Sequence, residues 1–184
     1  MLVEKDRSIL VVVDVQERLL PAIYNARQVV NNARCLVALA RTYGLPVILT
    51  EQYPKGLGRT DKALVEELGD LYSPVEKMTF SCMGEPAFKE QVFAWRKEGR
   101  DQAIVTGIEA HVCVYQTVVH MLGEGWEVHL AADGVGSRVE ANHMRALELM
   151  SSVGAWIKPT ETLVFEMLER AGTPQFKAMM PYVK

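Results

Sequence analysis

Ile104-Val105-Thr106-Gly107-Ile108-Glu109-Ala110-His111-Val112-Cys113-Val114 carries an apolar strand through a glycine into a tight turn and sets a cysteine where the next helix begins. A strand that turns at a glycine and feeds a helix is the unit from which a parallel sheet with helical crossovers is assembled. Backbone N–H groups at a helix start have no intrahelical acceptor and carry the positive end of the macrodipole, so a thiol placed there is expected to have a lowered pKa. An unperturbed thiol is only about 3% thiolate at pH 7, so even a modest shift changes its reactivity. A single buried cysteine otherwise acts as a small hydrophobe. The rest of the chain must decide between these roles.

Outward from this stretch, continuous apolar runs alternate with amphipathic ones, as in a parallel sheet covered on both faces. Strands are predicted over Ser8 to Val13, Pro46 to Thr50, Val75 to Lys77, Gln102 to Thr106, Glu127 to Ala131 and Ala155 to Lys158. Val29, Ala33, Leu36, Val37, Ala40 and Tyr43 keep helical spacing, with Asn25 as N-cap and Gly44 then Pro46 as the stop. Further helices follow Asp61, start at Pro86, carry Cys113, run from Glu140 to Val153, and extend from a capping Thr160 through Arg170. This alternation predicts an α/β fold: a three-layer α/β/α sandwich around a six-stranded, mostly parallel, doubly wound sheet. No internal repeat or linker interrupts it, so residues 1–184 are read as one domain.

Composition narrows the function classes. With 49% hydrophobic and 23% charged residues, the chain reads as globular. A net charge of −3 without clustered Lys and Arg argues against a nucleic-acid partner. The run Ile9 to Val13 is broken by Asp14, far short of a membrane span or a signal-peptide core, so no membrane partner is expected. Cys35, Cys82 and Cys113 form neither an even set nor a CxxC pair, which suits a reducing compartment, and a cytoplasmic location is expected.

In a doubly wound sheet, ligands bind outside the carboxyl ends of the strands, where the winding reverses. Asp14 ends the first strand, Glu51 follows the second, Lys77 ends the third, and Glu109 with Cys113 follows the fourth. A carboxylate after five apolar residues is costly unless paired. An acid, a cation and a thiol at strand ends form a consistent set for thiol nucleophilic catalysis: Lys77 stabilises the thiolate of Cys113, and Asp14 accepts and returns its proton. The backbone N–H groups near Glu109 and Cys113 are the candidate oxyanion donors.

With Val11-Val12-Val13-Asp14-Val15-Gln16, Lys77-Met78-Thr79-Phe80-Ser81 and Gly107-Ile108-Glu109-Ala110-His111-Val112-Cys113-Val114, the chain resembles the isochorismatase-like cysteine hydrolases over roughly Ser8 to Thr173. Asp14, Lys77 and Cys113 are specific jointly and weak apart. The resemblance implies hydrolysis of a small-molecule amide or carbamoyl bond through a cysteine thioester. It also implies a cis peptide between Ile108 and Glu109, and a dimer or larger assembly. Thr50-Glu51-Gln52-Tyr53-Pro54-Lys55-Gly56-Leu57-Gly58 is most similar to the isochorismatase-domain-containing branch, whose substrates are poorly defined. Nicotinamidases carry an aspartate and paired histidines for a metal after the second strand. Here His111, His120, His129 and His143 all fall later, without the spacing of a zinc site, so no catalytic metal and no cofactor are expected.

His111 and His120 are too poorly placed along a helix to pair with Cys113. Gln16, Tyr53, Phe80 and Tyr115 are candidates to contact a small planar acyl group. Trp126, Trp156, Met179, Met180 and Tyr182 supply apolar bulk for a homo-oligomer interface. Isochorismate-type vinyl-ether cleavage is the second enzymatic reading. A magnesium-dependent phosphoryl-transfer domain would need a second aspartate where Gln16 stands. A catalytically silent scaffold of the same fold is the reading outside enzymology.

Overall fold

Six strands, β1 (Ser8–Val13), β2 (Val47–Gln52), β3 (Pro74–Lys77), β4 (Gln102–Ile108), β5 (Glu127–Gly136) and β6 (Trp156–Lys158), pair in the order β3-β2-β1-β4-β5-β6, all parallel. They belong to a computed structural model that describes residues 1–183. The chain winds outward from β1 to β3 and then in the opposite sense from β4 to β6, so the winding reverses between β1 and β4. The predicted architecture therefore holds, with every strand pair parallel rather than most of them.

The fully buried β1 shows how the layers are filled. Leu10 and Val12 join the core beneath α1 (Ala26–Tyr43), while Ile9, Val11 and Val13 join the core on the opposite face. The first core also takes Leu64 and Leu68 of α3 (Lys62–Leu68), Leu163, Val164 and Met167 of α7 (Thr160–Leu168), and Met179 of α8 (Pro174–Met179). The second takes Phe88 and Val92 of α4 (Pro86–Lys97), Val118 and Met121 of α5 (Tyr115–Gly123), and Ala146 and Met150 of α6 (Glu140–Ser152). A four-residue α2 (Pro54–Leu57) lies between β2 and α3; neither it nor α8 carries enough periodicity to be read from sequence.

Several local expectations change. Asn25 does not cap α1; its Nδ2 donates to Val135 O instead. Thr160 is the first residue of α7, and its N–H and hydroxyl both donate to Asp133 Oδ1. Asp61 caps α3, accepting from the N–H groups of Ala63 and Leu64, and Gly44 ends α1 at φ +66°. Trp126 and Met179 are core residues, which leaves Trp156 and Tyr182 as exposed members of the apolar set proposed for an interface. Among the described residues, no helix is long and apolar enough to cross a membrane.

Gly107 is where the fold meets the site. It pairs with Val13, the residue before Asp14, and has φ +122°. A Cβ built there would lie 2.0 Å from Val13 O. Only glycine allows β4 to approach β1 this closely and bulge against β5 between Val105 and Gly107. Gly107→Ala is expected to cost about 3 kcal/mol or more, because backbone strain adds to a backbone clash. Gly44→Ala, with no atom within 4 Å of the added carbon, is expected to cost only about 1 to 2 kcal/mol. Urea midpoints of the two variants measure the difference.

Candidate active site

Asp14 directly follows β1 at φ +50°, a left-handed conformation that aspartate adopts more readily than most residues. Its carboxylate is completely buried, and both oxygens are engaged. Oδ1 accepts from the Thr50 hydroxyl at 2.7 Å and Oδ2 from Lys77 Nζ at 2.7 Å. Lys77 closes β3, opposite Gln52 at the end of β2, and donates also to Gln52 Oε1 at 2.7 Å and to the carbonyls of Phe80 and Thr79 at 3.1 and 3.2 Å. Burial lowers the pKa of this ammonium, but the charge of Asp14, the nearby sulfurs of Cys82 and Cys113 and the bond to Asp14 together outweigh it, so Lys77 stays above the usual lysine value.

Cys113 sits in a π turn (Ala110–Val114) that precedes α5, after a cis peptide between Ile108 and Glu109. It is 7% exposed. Its thiol is pushed up to about 12, first by burial and then by the charge of Asp14 and a hydrogen bond to it, with Lys77 offsetting part of this. The expectation of a lowered thiol pKa is thus overturned. In a dry site beside a carboxylate, a second negative charge is opposed by more than one ammonium compensates. The resting group is a neutral thiol facing an acid–cation pair.

A second thiol shares this environment. Cys82 Sγ lies 3.7 Å from Thr50 Oγ1, is fully buried, and is pushed up to about 11, mainly by burial. The Thr117 hydroxyl ties the two cysteine segments together, accepting from Cys82 N at 2.9 Å and donating to Cys113 O at 2.7 Å.

The remaining predicted residues separate. Gln16 is buried, and its amide is used by the chain itself: Nε2 donates to Gln52 O and Gly58 O, while Oε1 accepts from Gln52 N. Both of its amide hydrogens are therefore engaged. Glu51 does not reach the crevice; it points to the other side of β2, taking bonds from Thr60, Tyr72 and Arg59. The Glu109 carboxylate turns to the backbone N–H and guanidinium of Arg138. Tyr115 packs against the core that contains Cys113 and Val114.

Tyr53 and Phe80 are 48% and 56% exposed. Tyr53 lines a cleft of about 370 Å³ with Pro54, Lys55, Glu76, Lys77, Met78 and Glu85, a volume suited to a small molecule. The four histidines bond elsewhere: His111 to Ser137, His120 to Ser81, His129 to Glu127, and His143 to Tyr24 and Ala132 O. Among the described residues, no three His, Cys, Asp or Glu side chains gather as a metal site.

Sequence reasoning missed Thr50, Gln52, Cys82 and Thr117. The available signal was alternation: Thr50 and Gln52 share the face of β2 toward Asp14 and Lys77, and Glu51 does not.

A doubly wound α/β sheet with a buried acid, a lysine and a cysteine at its carboxyl edge defines the class of α/β hydrolytic folds to which the comparisons also lead. The model of the Isochorismatase domain matches residues 8–162, and the chain belongs to the isochorismatase family. It is 38% identical over 173 residues to isochorismatase domain-containing protein 2 of Danio rerio, covering 92% of this chain and 83% of that protein. It is 34% identical over 183 residues to isochorismatase domain-containing protein 2A of Mus musculus, covering 97% and 84%. The solved structure of MAR1 ribonuclease from Caenorhabditis elegans superposes with a TM-score of 0.90 at 32% identity, covering 100% of this chain and 92% of that one.

Removing the cation tests how far this pair supports the fold. Lys77→Met is expected to destabilise the protein by about 3 to 5 kcal/mol, because it leaves Asp14 charged and buried. Combining it with Asp14→Asn should recover part of that loss, and chemical denaturation of the single and double variants measures the recovery.

Proposed function

We propose that this isochorismatase-family protein hydrolyses a C–N bond, amide or carbamoyl, in a small molecule, with Cys113 as nucleophile. The Cys113 sulfur attacks the carbonyl carbon while the thiol proton passes to Asp14, so no free thiolate has to accumulate. The backbone N–H groups of Glu109 and Cys113 receive the oxyanion of the tetrahedral intermediate. As the C–N bond breaks, Asp14 returns the proton to the departing nitrogen and a thioester remains. Water then attacks the thioester, Asp14 takes its proton, and release of the acid restores the thiol. Lys77 holds Asp14 in place through Oδ2 and offsets negative charge on sulfur.

The observation that carries this reading is the buried contact of 2.7 Å between Lys77 Nζ and Asp14 Oδ2, with the Cys113 thiol near enough for both charges to act on it. Tyr53 and Phe80 are the substrate-facing candidates that solvent reaches, and Tyr53, Pro54 and Met78 give the cleft apolar surface that suits a planar acyl group. Neither a metal nor a cofactor takes part in these steps. Exposed Leu149, Val153 and Trp156 along α6 and β6 support a homo-oligomer of this chain in solution.

A panel of small amides, ureas and vinyl ethers, assayed with wild type and Cys113→Ala, tests the reading. Turnover of an amide or urea is expected, falling at least about a thousandfold in the variant. Turnover of vinyl ethers alone would move the activity to ether cleavage, and turnover that survives Cys113→Ala would remove the cysteine from the chemistry. Single-stranded RNA belongs in the panel because the C. elegans protein is named a ribonuclease; with a net charge of −3, no cleavage is expected. Light scattering should give an assembly larger than the monomer.

A further inference from the structure

Asp14 is surrounded by groups that the proposed chemistry uses, except on one side. Its Oδ2 takes the ammonium of Lys77, and its Oδ1 takes the hydroxyl of Thr50. Thr50 belongs to β2, is 1% exposed, and has a single hydroxyl hydrogen, which is given to the carboxylate. The contact of 3.7 Å between Thr50 Oγ1 and Cys82 Sγ therefore has only one arrangement open to it: the Cys82 S–H donates to the Thr50 oxygen. The donors run in one direction, from Cys82 to Thr50 to Asp14.

We infer that Thr50 is a positioning residue for proton transfer: its hydroxyl fixes the plane of the Asp14 carboxylate from Oδ1, as Lys77 fixes it from Oδ2, and so directs the carboxylate toward Cys113. A carboxylate held by one donor rotates about its last side-chain torsion, which is broad; two donors on different oxygens remove that freedom. Cys82 is wholly buried and lies against the same hydroxyl. The same threonine thus joins the Cys82 side chain to the acid proposed to serve Cys113. This rests on the proposed roles of Asp14 and Cys113.

Acetylation by p-nitrophenyl acetate tests it without knowledge of the physiological substrate. Sulfur bonds to the acetyl carbon, the C–O bond breaks, p-nitrophenolate leaves, and the thiol proton goes to Asp14. The burst of p-nitrophenolate gives the acylation rate constant and its half-saturating concentration, and peptide mass mapping identifies the acetylated cysteine. In wild type the burst is expected on Cys113. Thr50→Val should lower the rate constant roughly tenfold to a hundredfold, the cost of a lost bond to a charged group, with half-saturation little changed. Thr50→Ser should restore it to within about threefold, and Cys82→Ala should stay within that range, since neither loses the donor to Asp14. If Thr50→Val does not fold, Thr50→Ala is read in its place.

A rate in the valine or alanine variant equal to that of wild type, with Cys113 acetylated in both, overturns the role of Thr50 and leaves the nucleophile intact. A change confined to half-saturation, or a loss that serine does not restore, overturns it as well. Absence of acetyl on Cys113 in wild type overturns the underlying reading instead.

Discussion

The bond between Lys77 Nζ and Asp14 Oδ2 brings two full charges out of water at the carboxyl edge of the sheet, and the surrounding chain is arranged to satisfy them. β1 and β3 are not neighbours; β2 lies between them. The lysine must therefore act across the end of β2, and the two β2 residues on that face are polar and hydrogen-bonded: Thr50 to the carboxylate and Gln52 to the ammonium. The segment after β3 bends so that the carbonyls of Thr79 and Phe80 complete the ammonium's shell. A buried pair of this kind adds little net stability compared with apolar packing, yet breaking it is expensive.

The same pair accounts for the state of the thiol. A cysteine at a turn next to a lysine is ordinarily expected to ionise easily. Cys113 instead stays protonated, because burial and the adjacent carboxylate both oppose a second anion. In the proposed mechanism this is an advantage: the base that raises the thiol pKa also receives its proton, so charge moves from carboxylate to sulfur only as the new bond forms.

Much of this could be read before any coordinates. β1 is buried on both faces and appears as an apolar run, the centres of β4 and β5 are largely apolar, and α1 ends where Gly44 predicts. Asp14 stands out because it follows such a run, and Lys77 and Cys113 because each lies at or just after a strand's carboxyl end. The strand-end rule failed at Glu51 because β2 continues two residues past the predicted Thr50, and one residue of register reverses which side chain faces the site. The thiol pKa was misjudged because helix-end electrostatics can be inferred locally, whereas desolvation depends on segments distant in sequence. Thr117 carries no local signal, since a buried threonine in a helix looks like ordinary packing until its partners are known.

The cleft wall shows how non-reacting polar groups can shape a binding site. The segment from Tyr53 to Thr60 has little apolar anchorage of its own, and Tyr53 adopts a left-handed φ of +38°. Two buried side chains hold it. Gln16 bonds the backbone at Gln52 and Gly58, and Glu51 takes the N–H and hydroxyl of Thr60. Burial alone would raise the Glu51 pKa, but the bonds from Thr60, Arg59 and Tyr72 keep it below the usual carboxylate range, so the anchor stays charged and its acceptors stay occupied. A segment clamped at both ends by groups with no remaining freedom presents Tyr53 and Lys55 to the cleft from a fixed frame. Selectivity for the acyl group then depends on which side chains that frame carries rather than on closure of a loose loop, and substitutions at Gln16 or Glu51 would act on binding from behind the wall.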